Sequence, residues 1–213
     1  MTKIKIALAK GRLAEKAVEL FEQCGVKCKH ILEPSRKLIF DDESGNFEFI
    51  FVKPTDVPTY VEYGVVDLGI CGKDTLLEED KNIYELLDLK FAKCKLCFAG
   101  YIKDKNMLSE HNLRVATKYV NIATNIFEQR NQNVEIIKLN GSIELGPIIN
   151  LSDVIFDVVE SGKTLSENNL SVLEEVFDSS ARLVCNKVSL KTKAEFIKPF
   201  IENLSKIIEG SEE

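Results

Sequence analysis

The sequence predicts an α/β protein with two lobes and mostly parallel sheets, and three observations carry this prediction. Short apolar runs typical of strands alternate with segments of helical periodicity, the pattern of a parallel sheet covered by helices. Residues 66–71 are almost entirely apolar, which suits a parallel strand buried on both faces. The pattern restarts near residue 91, so we expect residues 1–90 and 180–213 to form one lobe and residues 91–179 another. Paired lobes of this kind place ligands in the cleft between them.

The first lobe opens with residues 3–9, whose polar and apolar side chains alternate and predict a strand. Residues 13–24 carry apolar side chains three or four positions apart, so they predict a helix, and Gly25 is its expected end. The other elements predicted for this lobe are strands at residues 36–40, 47–52, 66–71 and 182–188, and helices at residues 56–63 and 193–208.

The second lobe is predicted to begin with a long strand at residues 91–102. Thr117 follows a short strand and is a candidate cap for a helix that runs to Arg130. The other elements predicted here are strands at residues 113–116, 134–139 and 154–159, and helices at residues 142–149 and from Thr164 onward.

The composition excludes several classes of function. A net charge of -6 argues against a nucleic-acid-binding protein, because phosphate-backbone affinity needs a basic surface. No apolar run is long enough for a signal peptide or a membrane span, so we expect a cytoplasmic protein without a membrane partner. The two histidines, His30 and His111, lie in polar contexts, and no nucleophile motif accompanies them, so a nucleophile–base triad is not expected.

The cysteines do not predict a metal site. Cys94 and Cys97 lie three apart on a predicted strand, where their side chains point to opposite faces. Cys24 and Cys28 flank Gly25, the expected end of a helix. We therefore interpret these residues as small buried thiols rather than as ligands.

The strongest local signal for function is VIFDVVESGKTL at residues 154–165. An apolar strand contains the acid Asp157 near its end, and a short loop then leads into a helix. Loop amides, hydroxyl groups and a helix N-terminus together suit a phosphate, and glycine lets the backbone approach closely. The candidate loop residues are Glu160, Ser161, Gly162, Lys163 and Thr164. The alternative is an ordinary β–α turn with a Ser-Gly corner.

Basic residues near strand ends add weaker signals. Lys10, Gly11 and Arg12 follow the first strand directly, where two cations beside a glycine suit an anionic ligand. Arg36 lies in Ser-Arg-Lys at the start of another predicted strand, and Lys73 follows the strand at residues 66–71. Each group alone is better explained as a solvated turn, and only their joint placement at strand ends makes them candidates.

Long segments of the chain carry a family resemblance. They include ALAKGRL at residues 7–13, SRKLIF at 35–40, PTDVPTYVEYGVVDLGICGKDTLLE at 54–78, YELLDLKFAKCKL at 84–96, RVATKYVNIA at 114–123, IIKLNGSIELGP at 136–147 and DVVESGKTL at 157–165. Together they resemble the short form of the ATP phosphoribosyltransferase family over essentially the whole chain. The resemblance implies the two-lobed fold of type II periplasmic binding proteins.

The resemblance also implies the reaction, the first step of histidine biosynthesis. ATP and 5-phosphoribosyl 1-pyrophosphate would condense to N1-(5-phosphoribosyl)-ATP and pyrophosphate, with Mg²⁺ bound to the substrates. Matched by motif, Arg12 and Arg36 would act as the catalytic cations at the departing pyrophosphate. Asp157 and the loop at residues 160–164 would hold the phosphoribosyl group. Lys53 departs from the family pattern, in which arginine is common at this position, and Lys163 occupies a variable position.

The short form implies particular partners. Long forms carry a further C-terminal domain that binds histidine, and we expect this chain, which ends at Glu213, to lack it. Short forms instead work with a regulatory subunit that resembles histidyl-tRNA synthetase. The resemblance therefore implies both homo-oligomers and hetero-oligomers.

Two alternatives to this function stay open on the sequence. One is a non-catalytic, two-lobed module that binds a ligand, and the other is a phosphoribosyltransferase with a different acceptor. A signal peptide or a helix-turn-helix would favour the first alternative, and the sequence shows neither.

Overall fold

A computed structural model describes residues 3–110 and 112–210, so His111 lies outside the described residues. The chain divides into two compact units. The first unit comprises residues 1–92 and 180–213, and the second comprises residues 93–179.

Strands and helices alternate through most of the described chain. The strands are β1 (Ile4–Ala9), β2 (Ile39–Asp41), β3 (Phe47–Val52), β4 (Leu68–Gly72), β5 (Tyr84–Asp88), β6 (Cys94–Gly100), β7 (Leu113–Thr117), β8 (Val134–Lys138), β9 (Val154–Val159), β10 (Ser171–Ser179) and β11 (Ala181–Cys185). The α-helices are α1 (Arg12–Gln23), α2 (Val57–Glu62), α3 (Lys73–Glu79), α4 (Val120–Gln129), α5 (Leu145–Ile148), α6 (Lys163–Glu167), α7 (Lys187–Thr192) and α8 (Ala194–Gly210).

The first unit contains a sheet with the strand order β2-β3-β1-β4-β11-β5. β1 pairs in parallel with both β3 and β4, which places the carboxyl ends of these three strands at one edge. The chain returns from the second unit as β11, which runs antiparallel to its neighbours β4 and β5. The sheet is therefore mixed around a parallel centre.

The second unit contains a sheet with the strand order β10-β6-β9-β7-β8. β7 is parallel to β8 and β9, whereas β6 runs antiparallel to β9 and β10. The α/β fold class predicted from the sequence is confirmed in both units. The sheets are mixed rather than mostly parallel as predicted, because the strands β2, β5, β6, β10 and β11 run antiparallel to their neighbours.

Aromatic side chains form the centre of each core. In the first unit, the ring centroid of Phe21 lies 5.8 Å from that of Phe49 and 5.6 Å from that of Phe200, which joins α1 and α8 to the sheet. In the second unit, the Phe98 ring lies 4.8 Å from Phe156 and 5.3 Å from Phe127. Such packing holds the strands rigidly and so fixes the loops at their ends.

Several predicted boundaries were wrong. The strand predicted at residues 36–40 begins at Ile39, so Arg36 lies in a bend before it. Thr117 does not cap a helix: its hydroxyl donates to the Phe156 carbonyl at 2.6 Å and accepts from the Tyr119 amide at 2.8 Å. α4 begins only at Val120, and Tyr119 is its N-cap residue.

The structure also contains elements that the sequence did not predict, namely α3, β5, β10 and α7. The strand predicted at residues 182–188 ends at Cys185. Asn186 then caps α7, because its side chain accepts hydrogen bonds from the amides of Val188 and Ser189. No helix within residues 3–110 and 112–210 is long and apolar enough to cross a membrane.

Candidate functional site

Three lysines mark the carboxyl edge of the sheet in the first unit. Lys10 follows β1, Lys53 follows β3, and Lys73 opens α3 directly after β4. These three strands are parallel neighbours, and ligands of α/β sheets bind at this edge. The edge therefore offers an array of cations to an anionic ligand.

The turn after β1 has a backbone that requires glycine. Gly11 has a φ of 99°, and a Cβ atom there would meet no atom within 4 Å, so conformation rather than space selects the residue. The Lys10 ammonium donates to the Ser35 carbonyl at 3.2 Å and lies 5.6 Å from the centroid of the Phe51 ring. Arg12 is exposed in the first turn of α1.

A cavity of about 230 Å³ lies beside this turn. Its lining includes Lys10, Gly11, Ser35 and Phe51. The structure thus brings the segment after β1 next to the segment before β2. Arg12 and Arg36 are the next residues after Gly11 and Ser35, but they do not line the cavity.

Arg36 is an exposed side chain of the bend before β2. Within the described part of the chain it has no hydrogen-bond or ion-pair partner. Lys73 differs, because its ammonium lies 2.5 Å from the Glu85 carboxylate, which also faces the Arg182 guanidinium at 3.3 Å. Of these cations, Arg36 is available to a ligand and Lys73 is engaged within the protein.

The predicted phosphate loop lies in the second unit and has the expected backbone. Gly162 adopts the left-handed conformation with a φ of 71°, and α6 begins directly after it. The Ser166 amide donates to the Gly162 carbonyl at 3.0 Å, so helical bonding starts there. Among the described residues, the Gly162 and Thr164 amides have no acceptor, and the Lys163 amide reaches only the Ser161 hydroxyl, at 3.4 Å. The loop therefore presents several unsatisfied N–H donors.

The side chains of this loop point largely into solvent. Glu160, Ser161, Lys163 and Thr164 are all exposed. The Lys163 ammonium lies 3.7 Å from the Glu167 carboxylate, one turn further along α6. The loop thus offers backbone amides and hydroxyls, while its lysine extends along the helix.

Asp157 lies on β9 and is a half-buried acid of this site, with a side chain that is 16% exposed. Burial raises the pKa of Asp157, and the nearby Lys118 ammonium, at 3.6 Å from Oδ1, opposes that rise. Glu144 adds to the rise in the Asp157 pKa. The Val158 amide donates to Asp157 Oδ1 at 2.8 Å, which fixes the carboxylate at the strand end.

Sequence reasoning missed two charged neighbours of Asp157. Lys118 directly follows β7, and Glu144 precedes α5. The rule that selected Lys10, a cation at the carboxyl end of a parallel strand, would also have selected Lys118. No motif marks Glu144.

The described residues contain no group of three or more His, Cys, Asp or Glu side chains that could hold a metal ion. The cysteines are free thiols, and burial raises the pKa of Cys28 to about 12. The Cys28 thiol is therefore protonated near neutral pH. Cys24 and Cys94 are only half-buried, not buried as predicted.

Comparison with known proteins identifies the family. The family model for HisG, ATP phosphoribosyltransferase, matches residues 53–206. The chain belongs to the ATP phosphoribosyltransferase family. An ATP phosphoribosyltransferase of Thermoanaerobacter sp. (strain X514) is 54% identical over 213 residues, which cover all of both chains. The ATP phosphoribosyltransferase of Brachyspira hyodysenteriae is 56% identical over 209 residues, covering 96% of this chain and all of the relative.

Solved structures agree with the family assignment. An ATP phosphoribosyltransferase (HisG:HisZ) complex from Thermotoga maritima contains a chain with a TM-score of 0.81 and 36% identity, covering 97% of this chain and 99% of that one. The periplasmic aliphatic sulphonate-binding protein SsuA of Escherichia coli has a TM-score of 0.60 at 11% identity, covering 97% of this chain and 68% of that one. The second likeness concerns the fold alone. It agrees with the periplasmic-binding-protein-like fold that the resemblance to the ATP phosphoribosyltransferase family implied.

Proposed function

We propose that this chain condenses ATP with 5-phosphoribosyl 1-pyrophosphate to N1-(5-phosphoribosyl)-ATP and pyrophosphate, the first step of histidine biosynthesis. The observation that carries the proposal is the full-length match, at more than half identity, to ATP phosphoribosyltransferases. The reaction belongs to the pentosyl transfers, so the chain acts as a glycosyltransferase.

The chemistry needs charge stabilisation more than proton transfer. The lone pair of adenine N1 forms the bond to C1 of the ribose, and the bond from C1 to the pyrophosphate oxygen breaks with its electron pair. Adenine N1 carries no proton that must first be removed. The enzyme therefore has to bring two polyanions together and stabilise the charge that grows on the leaving group.

The second unit would hold the phosphoribosyl group. The Ser161 hydroxyl and the amides of Gly162, Lys163 and Thr164 suit the 5-phosphate, because these donors converge on the start of α6. Asp157 suits the ribose hydroxyls, since an ionised carboxylate accepts hydrogen bonds from them. Glu160 stands beside this group at the strand end and would contribute a second acceptor.

The first unit would hold the leaving pyrophosphate. Lys10 and Gly11 form a strand-end turn beside a cavity, which suits a phosphate group. Arg12 and Arg36 are the exposed guanidinium groups on the two adjoining segments. We assign to them the leaving pyrophosphate, which planar guanidinium groups bind in a bidentate manner.

Mg²⁺ would enter bound to the substrates. The described residues offer no dedicated cluster of ligands, whereas pyrophosphate oxygens are hard donors that this ion prefers. When bound, Mg²⁺ neutralises charge on the leaving group. Asp157 and Glu160 are the residues that could approach a substrate-bound ion in the second unit.

A regulatory subunit is part of the proposal. The related chain from Thermotoga maritima was solved in a HisG:HisZ complex. We extend this arrangement to the present chain, as hetero-oligomers with a histidyl-tRNA-synthetase-like subunit in the cytoplasm and as homo-oligomers of the chain itself.

One assay tests the function against its two alternatives. The protein, with and without the regulatory subunit, is mixed with phosphoribosyl pyrophosphate, Mg²⁺ and a panel of acceptors that includes ATP and free bases. We expect mass spectrometry to find phosphoribosyl-ATP and pyrophosphate with ATP alone. A product with another acceptor would show a different phosphoribosyltransferase, and binding without any product in either preparation would show a ligand-binding module.

A further inference from the structure

We propose that Lys118 is a further substrate-binding residue, whose ammonium contacts an anionic group of the phosphoribosyl ligand. Neither the family match nor the sequence motifs assign a role to this side chain. The inference rests on the proposed function, because it concerns the same ligand.

The sheet register places Lys118 in the site. β7 and β9 are parallel neighbours in which Thr117 pairs with Phe156. The residues that follow this pair, Lys118 directly after β7 and Asp157 within β9, are therefore neighbours near the carboxyl ends of the two strands. The Lys118 ammonium lies 3.6 Å from Asp157 Oδ1 and 4.7 Å from the centroid of the Tyr119 ring.

The ion pair with Asp157 leaves the Lys118 ammonium able to bind a ligand as well. Its 3.6 Å separation from Asp157 Oδ1 is longer than a strong hydrogen bond, so the N–H groups of Lys118 can also donate to a ligand oxygen. The side chain is 40% exposed, whereas that of Asp157 is 16% exposed. The cation thus lies more exposed than the half-buried acid beside it, where a ligand could share it with Asp157.

The lysine within the loop is placed differently. The Lys163 side chain is 78% exposed and its ammonium lies 3.7 Å from Glu167, along α6 and away from the first turn. Lys163 therefore contributes to the site through its backbone amide. Its charge is less well placed than that of Lys118 to meet a ligand beside Asp157.

The local charge favours a cation. The Glu144 carboxylate is close enough to raise the Asp157 pKa, Glu160 follows β9 directly in the chain, and the ligand is itself a polyanion. Neighbouring carboxylates and the anionic ligand repel one another, and the repulsion grows where water is partly excluded. Lys118 offsets the charge on Asp157 and provides a donor for phosphate oxygens.

The test compares lysine variants by titration calorimetry with magnesium phosphoribosyl pyrophosphate. Lys118→Met keeps the apolar stem and should weaken binding about ten- to a hundredfold, the worth of one charge-assisted hydrogen bond. Lys118→Arg should restore most of the affinity, and Lys163→Met should lose clearly less than Lys118→Met. Separate titrations with ribose 5-phosphate and with inorganic pyrophosphate show which anionic group the ammonium contacts, because only the contacted ligand loses affinity.

Lys103→Met is the matched control. Lys103 is an exposed lysine of the second unit whose ammonium lies 5.7 Å from the Tyr101 ring, but it follows β6, which runs antiparallel to β9. It therefore lies at the opposite edge of the sheet, and its variant should bind like the parent.

Three outcomes overturn the inference. Parent-like binding by Lys118→Met, with an unchanged melting temperature, would exclude a contact with the ammonium. Equal losses for Lys118→Met and Lys103→Met would show a general charge effect. An equal or larger loss for Lys163→Met would move the role to the loop lysine. In each case the parent still binds the ligand, so the proposed function stands; a parent that binds no phosphoribosyl pyrophosphate would remove both.

Discussion

The ammonium of Lys193 lies 2.7 Å from Oδ2 of Asp67, a buried carboxylate just before β4. The same carboxylate accepts the Lys5 amide at 2.9 Å and the Ser189 hydroxyl at 2.7 Å. One acid therefore ties β1 and β4 to the helices that follow β11. Since the chain leaves the first unit and returns to it, this cluster joins segments far apart in sequence.

We expect Asp67→Ala to lower the free energy of unfolding by about 3–5 kcal/mol, the cost of removing one partner from a buried pair. The loss removes the counter-charge of the Lys193 ammonium, which keeps only its bond to the Lys3 carbonyl among the described contacts, and leaves the Ser189 hydroxyl and the Lys5 amide without their acceptor. Urea denaturation followed by circular dichroism measures the change. The exposed pair of Lys16 and Glu19 provides the control, because Glu19→Ala should change stability by less than about 1 kcal/mol. Equal effects at the two positions would contradict the structural role of Asp67.

Gly162→Val should abolish binding of phosphoribosyl pyrophosphate while the fold persists. A β-branched residue is a steric outlier at the φ of 71° that Gly162 adopts, at a cost of about 1–2 kcal/mol, so the loop should rearrange and its amides should turn away from the anion. A Cβ atom would have room, since Val159 is its nearest neighbour at 3.9 Å. Calorimetry measures binding, and the melting temperature reports the fold.

Gly162→Asn is the matched control for that loop. Asparagine adopts the left-handed conformation more readily than valine, so this variant should keep a substantial part of the affinity. Unchanged binding by Gly162→Val would mean that the amides of the loop do not hold the phosphate.

Asp157→Asn should stabilise the protein at neutral pH and weaken ligand binding. Burial raises the pKa of Asp157, so the folded state is penalised for holding the ionised form. The penalty is absent below the unfolded pKa of about 3.9, where both states are protonated, and it is complete above the folded pKa. The urea midpoint of Asp157→Asn should therefore exceed that of the parent near pH 7, and the difference should shrink as the pH falls towards 4. A variant less stable than the parent at neutral pH would show that the carboxylate stabilises the fold.

The fold was largely predictable from the sequence because its signals are local. Residues 47–52 and 154–159 were predicted with the bounds that β3 and β9 have, since both segments are rich in apolar β-branched and aromatic side chains, with one acid each. β10 was missed because its charged residues sit on an edge strand, where only pairing with β6 defines the element. α3 begins at Lys73, directly after β4, and was missed because no side chain caps its N-terminus.

The candidate site also has a part that could be predicted from local sequence and a part that could not. The turn at Gly11 and the turn at Gly162 were predictable, because a glycine at a strand end signals a backbone that other residues avoid. The contact of Lys118 with Asp157 was not, since it depends on which strands are neighbours in the sheet. Residues 39 apart in sequence meet there only because β7 pairs with β9.

Turnover should require Mg²⁺ supplied with the substrates. The described residues lack a cluster of ligands for a resident ion, and pyrophosphate itself binds the metal. Protein dialysed against chelator should regain full activity as soon as magnesium is added with phosphoribosyl pyrophosphate. Full activity in excess chelator would contradict this expectation.

Arg36→Ala should slow the chemical step by about 10²–10³ while substrate affinity stays near that of the parent. Arg36 is exposed in the bend before β2 and has no partner among the described residues, so its loss should not disturb the fold. An interaction with the departing pyrophosphate strengthens as charge develops, and it therefore lowers the barrier more than it improves binding. Single-turnover rates with the regulatory subunit present, set beside calorimetric affinities, separate the two effects.

Two further variants decide whether the effect belongs to the guanidinium of Arg36. Arg36→Lys keeps the charge but loses bidentate geometry, so its rate should lie between those of the parent and the alanine variant. The neighbouring Lys37 is exposed as well, and Lys37→Ala should change the rate by less than about threefold, as for other exposed charges. If Arg36→Ala turns over like Lys37→Ala, Arg36 is an ordinary surface residue, and the leaving-group site must be sought at Arg12 and Lys10 instead.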